Sequence, residues 1–496
     1  MRIHLLAILL ACLGPIHSQA SPLQRKPNII FILTDDQGYG DLSCHGNPIL
    51  KTPNLDRLHD EAARFTDFHV SPTCAPTRSA LLTGRHEFKN GVTHTINERE
   101  RLSPDSKTLP QALKRAGYRT GIFGKWHLGD EPAYQPGKRG FDEVFIHGAG
   151  GIGQSYPGSC GDAPGNTYFD PVILHNGTFV RTKGYCTDVF FGRAIRWIDQ
   201  QRHGDAPFYC HIATNAPHAP LQVRPEDAAR YAGKVPPETA RFFGMVANID
   251  DNVGRLLEKL REWKLDENTL IVFMNDNGGT AGVKVHNAGM RGSKGSPWLG
   301  GTRAASFWRW KGTLTAGDRP QLAAHIDFFP TLAEIAGVDL TSDERRQIEG
   351  ISLVSALTDP ATAWPDRTLF THVGRWAKGA SPETGKYQNA SVRSARWHLV
   401  SEGKPKAPRQ PAAPSEAGQA PPSWQLFDVA ADPGERNNIA ADHPEIVSSM
   451  KRSFESWWSS LRPLMLNENA PLARENPFKA LYLEQQRTTG IRDAEP

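Results

Sequence analysis

The sequence contains little that would suit it to a membrane or to nucleic acid. After residue 20, no stretch approaches the roughly 20 consecutive apolar residues that a membrane-spanning helix needs. The 57 Lys and Arg residues nearly balance the 53 Asp and Glu residues, and no long basic run occurs. This balance argues against nucleic-acid binding but is compatible with a local cationic pocket for a small anion. At 496 residues the chain is too long for one ordinary core, so two domains are expected.

The first 20 residues have the pattern of an export signal. Arg2 supplies a positive charge, residues 5–13 are apolar, and Ser18-Gln19-Ala20 is a cleavage site of the small-x-small type. We therefore expect an exported protein, periplasmic or secreted, that begins at Ser21. An alternative is lipid attachment at Cys12, which the shortness of the preceding segment disfavours.

Cysteine is scarce, and its spacing excludes the common zinc and redox motifs. The chain has 6 cysteines and no CxxC pair. An oxidising compartment permits disulfides, and Cys160 and Cys186, in Gly-rich surroundings, are the predicted bridge. Cys210 lies in an apolar run and is predicted to be a buried thiol. The cysteines that remain after signal removal are odd in number, so at least one stays outside a pair: Cys44, Cys74, Cys160, Cys186 and Cys210.

What the sequence does contain is a series of apolar runs typical of buried strands. Residues 28–33, 208–213 and 269–274 are such runs, and residues 120–123 form a shorter one. Amphipathic helical patterns separate them, as at 242–263. The alternation predicts an α/β fold built on a large, mostly parallel sheet flanked by helices.

Hard oxygen ligands follow two of these predicted strands. Asp35 and Asp36 come directly after the first run, and Asp276 and Asn277 follow the run at 269–274. The carboxyl ends of strands in an open α/β sheet meet at the edge where ligands bind. Adjacent buried carboxylates need a positive partner, and this ligand set is the type that Ca²⁺ prefers. The alternative is a polar turn in which one aspartate caps the next element.

Cations and imidazoles are predicted near the same edge. Lys125 and His127 alternate after the strand at 120–123, so they share one face of an extended backbone. His218 lies between two prolines in a non-helical loop, and Lys294 lies on a Gly-rich loop. Alone, each is typical of an ordinary surface side chain. Together they could hold an oxyanion and move a proton.

Residues 71–85 carry the candidate nucleophile. Cys74 precedes Pro76, which fits the first turn of a helix because that turn needs no internal N–H donor. A side chain at a helix N-terminus meets free N–H groups and a dipole that favour an anion. Arg78, one turn along, would face the same anion. The alternative is a buried or half-cystine residue before an ordinary capped helix.

The chain divides near residue 350. Strand patterns at 393–400 and 424–429, with a helix pattern at 444–461, predict a smaller C-terminal α+β domain. Residues 148–184 are predicted to form a long loop at a substrate mouth. The expected divisions are a signal at 1–20, a main catalytic domain at 21–350, a smaller subdomain at 351–470 with a disordered Pro/Ala-rich loop at 404–422, and a tail at 471–496.

Taken together, these segments resemble the type I, formylglycine-dependent sulfatases of the alkaline phosphatase superfamily. Each match is weak to moderate alone, but their joint order between residues 27 and 438 is highly specific. The resemblance implies an alkaline phosphatase-like fold and an arylsulfatase-like sulfuric ester hydrolase. The matching segments are Asp35-Asp36-Gln37-Gly38-Tyr39-Gly40-Asp41, Cys74-Ala75-Pro76-Thr77-Arg78, Gly124-Lys125-Trp126-His127-Leu128-Gly129, Ala216-Pro217-His218, Asp276-Asn277-Gly278, Gly292-Ser293-Lys294, Leu426-Phe427-Asp428 and Asp432-Pro433-Gly434-Glu435-Arg436-Asn437-Asn438.

The resemblance also implies a nucleophile and a metal ion. A formylglycine-generating enzyme would oxidise Cys74 to formylglycine, and the hydrate of that aldehyde would attack the sulfate ester. One Ca²⁺ would bind the hydrate and a sulfate oxygen. The ion would be held by residue 74 together with Asp35, Asp36, Asp276 and Asn277.

The same resemblance assigns charge and proton roles. Arg78, Lys125 and Lys294 would stabilise the negative charge that develops as the ester breaks. His218, with Lys294, would protonate the departing alcohol. His127 would take a proton from the second hydroxyl, which expels inorganic sulfate.

One position departs from the family pattern, and two alternative functions stay open. Many relatives carry an acidic residue before the Gly-Gly that follows the lysine loop, whereas here Leu299 precedes Gly300-Gly301, which puts the support around Lys294 in doubt. The alternatives are a formylglycine-dependent phosphodiesterase or phosphonate hydrolase and a non-catalytic glycan-binding relative. The expected substrate is a sulfate ester on a carbohydrate, as in a sulfated polysaccharide, or on an aryl alcohol.

Overall fold

The computed structural model describes residues 26–154, 156, 158–403, 423–468, 470–471 and 475–494. The predicted export signal at 1–20, Cys12 and the predicted loop at 404–422 lie outside the described residues. Within those residues, no helix has both the length and the apolar character needed to cross a membrane.

The strands follow the apolar runs of the sequence closely. The runs at 28–33, 208–213 and 269–274 each form a fully buried strand. In chain order, the strands are β1 (Asn28–Thr34), β2 (Ala63–Phe65), β3 (Phe68–His69), β4 (Arg119–Lys125), β5 (Glu143–His147), β6 (Val172–His175), β7 (Thr178–Arg181), β8 (Phe208–Ala213), β9 (Thr269–Asn275), β10 (Ser306–Arg309), β11 (Gly317–Arg319), β12 (Ala323–Ala324), β13 (Leu369–His372), β14 (Ala390–Arg393), β15 (Trp397–Ser401), β16 (Trp424–Asp428) and β17 (Arg492–Asp493).

One large sheet forms the centre of the molecule. Its order across the described residues is β11-β2-β10-β9-β1-β8-β4-β5-β6-β7-β17. The five central strands, β9 to β5 in that order, are parallel, whereas β10, β6 and β7 join antiparallel. The predicted α/β fold class is therefore confirmed, with a sheet that is parallel at its centre and mixed at both edges. A separate pair, β3 with β12, lies outside this sheet.

Helices cover both faces of the sheet because alternate side chains of each central strand point to opposite faces. Ile29, Phe31 and Leu33 of β1 pack into one core cluster, whereas Ile30 and Ile32 pack into another. In chain order, the helices are α1 (Pro53–Asp60), α2 (Cys74–Thr83), α3 (Leu109–Arg115), α4 (Cys186–Gln201), α5 (Pro225–Ala229), α6 (Pro237–Glu262), α7 (Leu299–Thr302), α8 (Phe328–Ile335), α9 (Ser342–Gln347), α10 (Val354–Thr358), α11 (Pro444–Leu461) and α12 (Pro477–Thr488).

The C-terminal part contains a smaller antiparallel sheet in the order β13-β14-β15-β16. Helix α11 packs on it through Phe454, Trp457 and Trp458, which belong to a third core cluster. Phe88 of the larger domain joins the same cluster. The predicted α+β arrangement of this region is therefore present, and apolar packing joins it to the rest of the protein.

Two segments contain more structure than the sequence interpretation gave them. Residues 148–184 are not one long loop, because they include the hairpin β6–β7 around Asn176 and Gly177. Both turn residues have positive φ, which a two-residue hairpin turn of type I′ requires. The expected tail at 471–496 includes α12 and β17, and β17 pairs with β7 at the edge of the large sheet.

The predicted disulfide is not formed. Cys160 and Cys186 are both free thiols. The Cys160 Sγ atom accepts a hydrogen bond of 3.2 Å from the Gly129 N–H, whereas Cys186 begins α4 within the apolar core. Each sulfur is thus held in its own buried environment, so this prediction was wrong. Cys210 is a buried core thiol, as predicted.

Candidate active site

The ends of the central strands bring the predicted site residues together. In the parallel register, Thr34 of β1 lies beside Asn275 of β9, so the acidic residues that follow both strands meet at one edge. On the other side of β1, β8 separates it from β4, whose last residue is Lys125. The candidate site is therefore a product of strand order, drawn from segments as far apart in the chain as Asp36 and Lys294.

Four residues carry the candidate oxygen ligands: Asp35, Asp36, Asp276 and Asn277. Asp36 has a φ of 67°, a left-handed conformation that non-glycine residues rarely adopt. Its backbone N–H donates to Asp276 Oδ1 at 3.2 Å, and Asn277 Nδ2 donates to Asp36 Oδ1 at 3.0 Å. Asp35 lies directly before it and is fully buried. This backbone strain and cross-linking hold the acidic groups in one place.

Cys74 lies at the N-terminus of α2, where the sequence predicts the nucleophile. It is the first residue of the helix, follows an extended Thr73 and is only 2% exposed. One ligand-type atom from each of Asp35, Asp36, Cys74 and His218 lies within 4.8 Å of the others. The thiol therefore shares one small buried volume with the acidic residues and an imidazole.

Each of the three carboxylates has its own cation. Lys125 Nζ lies 2.5 Å from Asp35 Oδ2, and Lys294 Nζ lies 2.5 Å from Asp36 Oδ1. Arg78 Nη2 lies 2.8 Å from Asp276 Oδ2. Such pairing offsets the free-energy cost of removing these charges from water. That cost is large for a buried charge that has no partner.

Burial and these cations shift the pKa values of the three carboxyl groups in different directions. Burial raises the pKa of Asp35 to about 7 against the opposing charge of Lys125. Burial, with the nearby charge of Asp35, raises the pKa of Asp276 to about 6. Burial also disfavours the charge of Asp36, but Lys294 and His218 outweigh it and hold its pKa below the usual range. Additional positive charge at this edge would favour the ionised forms of Asp35 and Asp276.

Two oxygens of this set are buried without a hydrogen-bond partner among the described residues. They are Asp35 Oδ1 and Asn277 Oδ1. A buried polar atom without a partner costs free energy, so such atoms indicate a ligand. Hard oxygen donors grouped in this way match the coordination preference of Ca²⁺. The residues present therefore fit the ion that the sequence predicts.

His127 is held as a neutral imidazole with one free nitrogen. Its Nε2 lies 3.0 Å from both Glu100 Oε2 and the Thr95 carbonyl oxygen, so Nε2 carries the proton. Its Nδ1 is buried and has no partner among the described residues. Burial and the nearby Lys125 charge lower the pKa of His127 to about 4. At neutral pH, Nδ1 can therefore accept a proton.

His218 and Lys294 are the more exposed members of the set. Their side chains are 12% and 17% exposed, whereas those of Lys125 and His127 are 0% and 1% exposed. His218 Nε2 lies 3.7 Å from Asp36 Oδ2, and its Nδ1 lies 2.6 Å from the Ala219 carbonyl oxygen. Burial lowers the pKa of His218 to about 3. The two histidines thus differ in exposure, with His218 nearer to solvent.

The lysine loop is tied to the segment that precedes Cys74. The Gly295 N–H donates to the Pro72 carbonyl oxygen at 2.8 Å, and the Lys294 N–H donates to the Gly279 carbonyl oxygen at 3.1 Å. Gly292, with a φ of 82°, permits the loop to turn back against Trp298. The loop is therefore anchored to both the helix start and the segment after β9.

Three residues near the site were not identified from the sequence. Glu100 contacts His127, and Glu435 contacts the segment after the lysine loop. His147 is buried beside β4, and neither of its ring nitrogens has a hydrogen-bond partner among the described residues. Glu100 lies in Glu98-Arg99-Glu100-Arg101, which has the pattern of a solvated charged surface. No local signal in the sequence marks Glu100 or His147, whereas Glu435 lies in the family-matching segment 432–438, a match that assigns it no role.

All of the predicted site residues lie at this edge of the sheet, in two groups. The contacts given above link the larger group, which consists of Asp35, Asp36, Cys74, Arg78, Lys125, His218, Asp276, Asn277 and Lys294. His127 follows the same strand as Lys125 but makes its hydrogen bonds to Glu100 and Thr95.

Comparison with known proteins gives consistent results. The family described as "Sulfatase" matches residues 27–338. N-acetylgalactosamine-6-sulfatase from Homo sapiens is 31% identical over 480 residues, covering 90% of this chain and 88% of the human protein. Arylsulfatase J from Mus musculus is 29% identical over 479 residues, covering 91% of this chain and 79% of the mouse protein.

A solved structure shows the same architecture. The crystal structure of Ps i-CgsB in complex with k-i-k-neocarrahexaose superposes with a TM-score of 0.74 at 28% sequence identity. The match covers 94% of this chain and 98% of that one. The similarity therefore includes the smaller C-terminal sheet as well as the large one.

Proposed function

Because this chain belongs to the sulfatase family and is a sulfuric ester hydrolase, we propose that it is an exported enzyme that removes sulfate from a carbohydrate. The proposed nucleophile is the hydrate of a formylglycine made from Cys74, and the proposed cofactor is one Ca²⁺. The observation that carries this proposal is the sharing of one buried volume by Cys74, Asp35, Asp36 and His218.

The metal proposal rests on the donor chemistry of the site. The ion would be held by Asp35, Asp36, Asp276, Asn277 and residue 74. The side-chain oxygens of the first four are hard donors, and two of these oxygens, Asp35 Oδ1 and Asn277 Oδ1, have no hydrogen-bond partner among the described residues. Bound Ca²⁺ would supply positive charge that polarises the S–O bonds and favours the ionised nucleophile.

The cations of the chain would bind the sulfate group. Arg78, Lys125 and Lys294 each already face a carboxylate at this edge, so three positive charges lie around the position of Cys74. Their charge would stabilise the sulfate oxygens most strongly as the ester bond breaks, because the site is buried and its effective dielectric is low.

Two histidines would divide the proton transfers. His218, with Lys294 and nearer to solvent, would protonate the oxygen of the departing alcohol, which requires that the negative charge of the bound ester raise the lowered pKa of its imidazole. His127 would accept a proton at Nδ1 when sulfate is released, with Glu100 holding the proton on Nε2. Separate groups suit the two tasks because the leaving alcohol and the nucleophile lie on opposite sides of the sulfur.

The proposed substrate is a sulfated glycan. The human relative is named for a sulfated amino sugar, and the similar solved structure contains a carbohydrate. The export pattern at 1–20 would give the enzyme access to such polymers outside the cytoplasm. Maturation would require a formylglycine-generating enzyme as a partner.

The test is release of inorganic sulfate from a panel of sulfated glycans and a small aryl sulfate. The protein should be produced in a host that makes formylglycine, and Cys74→Ala should lose at least about 10³-fold in kcat/KM, as expected for removal of a nucleophile. Cys210→Ala, which alters a buried core thiol, is the matched control. Activity on the aryl ester alone would contradict the glycan proposal.

Two further outcomes would favour the alternatives. Faster turnover of a phosphate diester than of any sulfate ester would indicate a phosphodiesterase or phosphonate hydrolase. A mass spectrum that shows an unmodified Cys74 peptide from a competent host, with no turnover, would indicate a non-catalytic glycan-binding protein.

A further inference from the structure

A second cluster of metal-binding side chains lies beside the segment that follows Asp36. Cys44 and His45 lie in a short 3₁₀ helix, Ser43–His45, and His59 lies near the end of α1. One ligand-type atom from each of the three residues lies within 4.8 Å of the other two. None of the three has a role in the proposed sulfatase chemistry.

Both imidazoles are held in the way that metal-binding histidines usually are. His45 Nδ1 lies 2.7 Å from the Tyr39 carbonyl oxygen, and His59 Nδ1 lies 2.9 Å from Asp60 Oδ1. In metal sites, a backbone carbonyl or a carboxylate commonly accepts the N–H of the nitrogen that does not bind the ion. These contacts place a proton on each Nδ1, which leaves each Nε2 with a lone pair.

Aromatic packing restricts the orientation of the two rings. Tyr39 stacks on His45 with ring centroids 3.8 Å apart. The Phe307 ring packs edge-on against both imidazoles, with centroids 5.6 Å from His45 and 5.2 Å from His59. The rings therefore have little freedom to rotate, so little conformational entropy would be lost in ordering them when an ion binds.

The backbone at Cys44 is fixed by a carboxylate of α1. Asp56 Oδ1 accepts from the Cys44 N–H at 3.0 Å, and Asp56 Oδ2 accepts from Ser43 Oγ at 2.6 Å. On the other side, His286 Nε2 lies 3.0 Å from the His45 carbonyl oxygen. The three candidate ligands are thus held on a framework that other residues build.

Two arginines near these ligands are each held by other groups. Arg64 is paired with Asp318 at 2.8 Å, and Arg303 lies over the Tyr39 ring at 4.4 Å and donates to the Thr66 carbonyl oxygen at 2.9 Å. Loss of the Cys44 thiol proton on metal binding would add a negative charge.

We propose that Cys44, His45 and His59 form a site for a borderline-soft divalent ion of the Zn²⁺ class. A thiolate and two imidazoles are the ligands that Zn²⁺ and Co²⁺ favour, and they differ from the hard oxygens around Cys74. Three protein ligands leave one position for water. Binding joins the segment after Asp36 to α1, so the ion stabilises the loop that leads out of the catalytic edge.

The first experiment is a titration of the metal-free protein with Co²⁺ in the presence of saturating Ca²⁺. A Co²⁺–thiolate bond gives a charge-transfer absorption in the near ultraviolet. We expect this band at about one equivalent of Co²⁺, its loss in Cys44→Ser, and its retention in Cys74→Ala, which removes the thiol of the other cluster.

The second experiment measures Zn²⁺ binding by calorimetry and by the midpoint of thermal unfolding. His59→Gln should weaken Zn²⁺ binding by at least about 100-fold, because removal even of a supporting hydrogen bond to a ligand costs up to that much. It should also abolish the rise in midpoint that Zn²⁺ gives the unsubstituted protein. His203→Gln, at an exposed histidine, is the matched control and should behave as the unsubstituted protein does.

Each variant is first compared with the unsubstituted protein in the absence of metal by circular dichroism and thermal unfolding. If Cys44→Ser does not fold, His59→Gln tests the site alone. The proposal is overturned if the thiolate band persists in folded Cys44→Ser or disappears in Cys74→Ala. It is also overturned if folded His59→Gln binds Zn²⁺ as tightly as His203→Gln does.

Discussion

The buried carboxylate of Glu435 accepts a hydrogen bond of 2.9 Å from the backbone N–H of Leu299. Leu299 begins the short helix α7 just after the lysine loop, and it occupies the position where many sulfatases carry an acidic residue. The second oxygen of Glu435 lies 2.6 Å from His398 Nδ1 in the small sheet. A carboxylate from the C-terminal domain therefore supports the segment after the lysine loop. This is the segment whose departure from the family pattern put the support around Lys294 in doubt.

Loss of this carboxylate should weaken catalysis through Lys294. In Glu435→Ala, the Leu299 N–H loses its partner, and we expect kcat/KM to fall about tenfold, equivalent to about 1.4 kcal/mol. The fall should be mainly in kcat if the loop positions Lys294 for bond breaking, and Glu435→Gln should restore part of it. Glu445→Ala, at an exposed carboxylate of α11, is the control. A loss of thermal stability with unchanged kcat/KM would show that Glu435 has only a structural role.

Glu100 should set the pH dependence of the base. His127, with its pKa lowered to about 4, is neutral above that pH, and activity that needs a neutral imidazole is lost as the pH falls through it. The Glu100 charge raises the pKa of His127, so Glu100→Gln should move the acidic limb of kcat/KM to lower pH. We also expect activity at neutral pH to fall by about 10- to 100-fold, because the amide can donate to Nε2 and favour the wrong tautomer.

The control for this prediction is Glu98→Gln. Glu98 is a buried neighbour whose carboxylate pairs with Lys378 at 3.2 Å and does not contact His127. An acidic limb that moves equally in both variants, or in neither, would contradict the proposed role of Glu100.

Gly124 should tolerate no side chain. It has a φ of 122°, and an added Cβ would lie 1.8 Å from the Ala213 carbonyl oxygen of β8. Gly124→Ala should therefore lower the free energy of unfolding by more than about 3 kcal/mol, as measured by denaturant titration. Gly117→Ala is a matched control with a φ of 89° and no atom within 4 Å of the added Cβ. It should cost only about 1 kcal/mol. Equal losses would show that backbone conformation, not the contact with β8, decides.

Thiol titration in denaturant should report the state of Cys74. The described residues contain five free cysteines and no disulfide. If Cys74 is converted to formylglycine, titration of a chain without its predicted signal should detect four thiols per chain without added reductant. The same titration of Cys210→Ala should detect three. Two fewer thiols, restored by reductant, would indicate a disulfide and contradict the structure.

The fold followed from the sequence wherever a pattern is local. The buried strands are continuous apolar runs, so β1, β8 and β9 were predicted to within one residue. The position of the acidic residues at their ends then followed from the geometry of parallel sheets, without any knowledge of contacts.

The rest depended on contacts between distant segments. The hairpin β6–β7 was missed although Asn176-Gly177 is a strong turn signal, because the Gly- and Pro-rich surroundings suggested a loop. The disulfide prediction failed because the Gly-rich composition around two cysteines does not show how far apart their sulfur atoms lie in the fold. The roles of Glu100 and Glu435 could not be predicted, since charged residues in polar segments usually face solvent, and the contacts with His127 and the Leu299 N–H come from other parts of the chain.

The pairing of each acidic residue at the strand ends with one basic residue also restricts how this edge could diverge. Replacing Lys125 alone would leave Asp35 without its partner, and the same holds for Lys294 with Asp36 and for Arg78 with Asp276. A descendant enzyme that loses the proposed metal site would therefore be expected to change both members of a pair together. Coordinated replacement, rather than gradual drift, is the evolutionary route open to this edge.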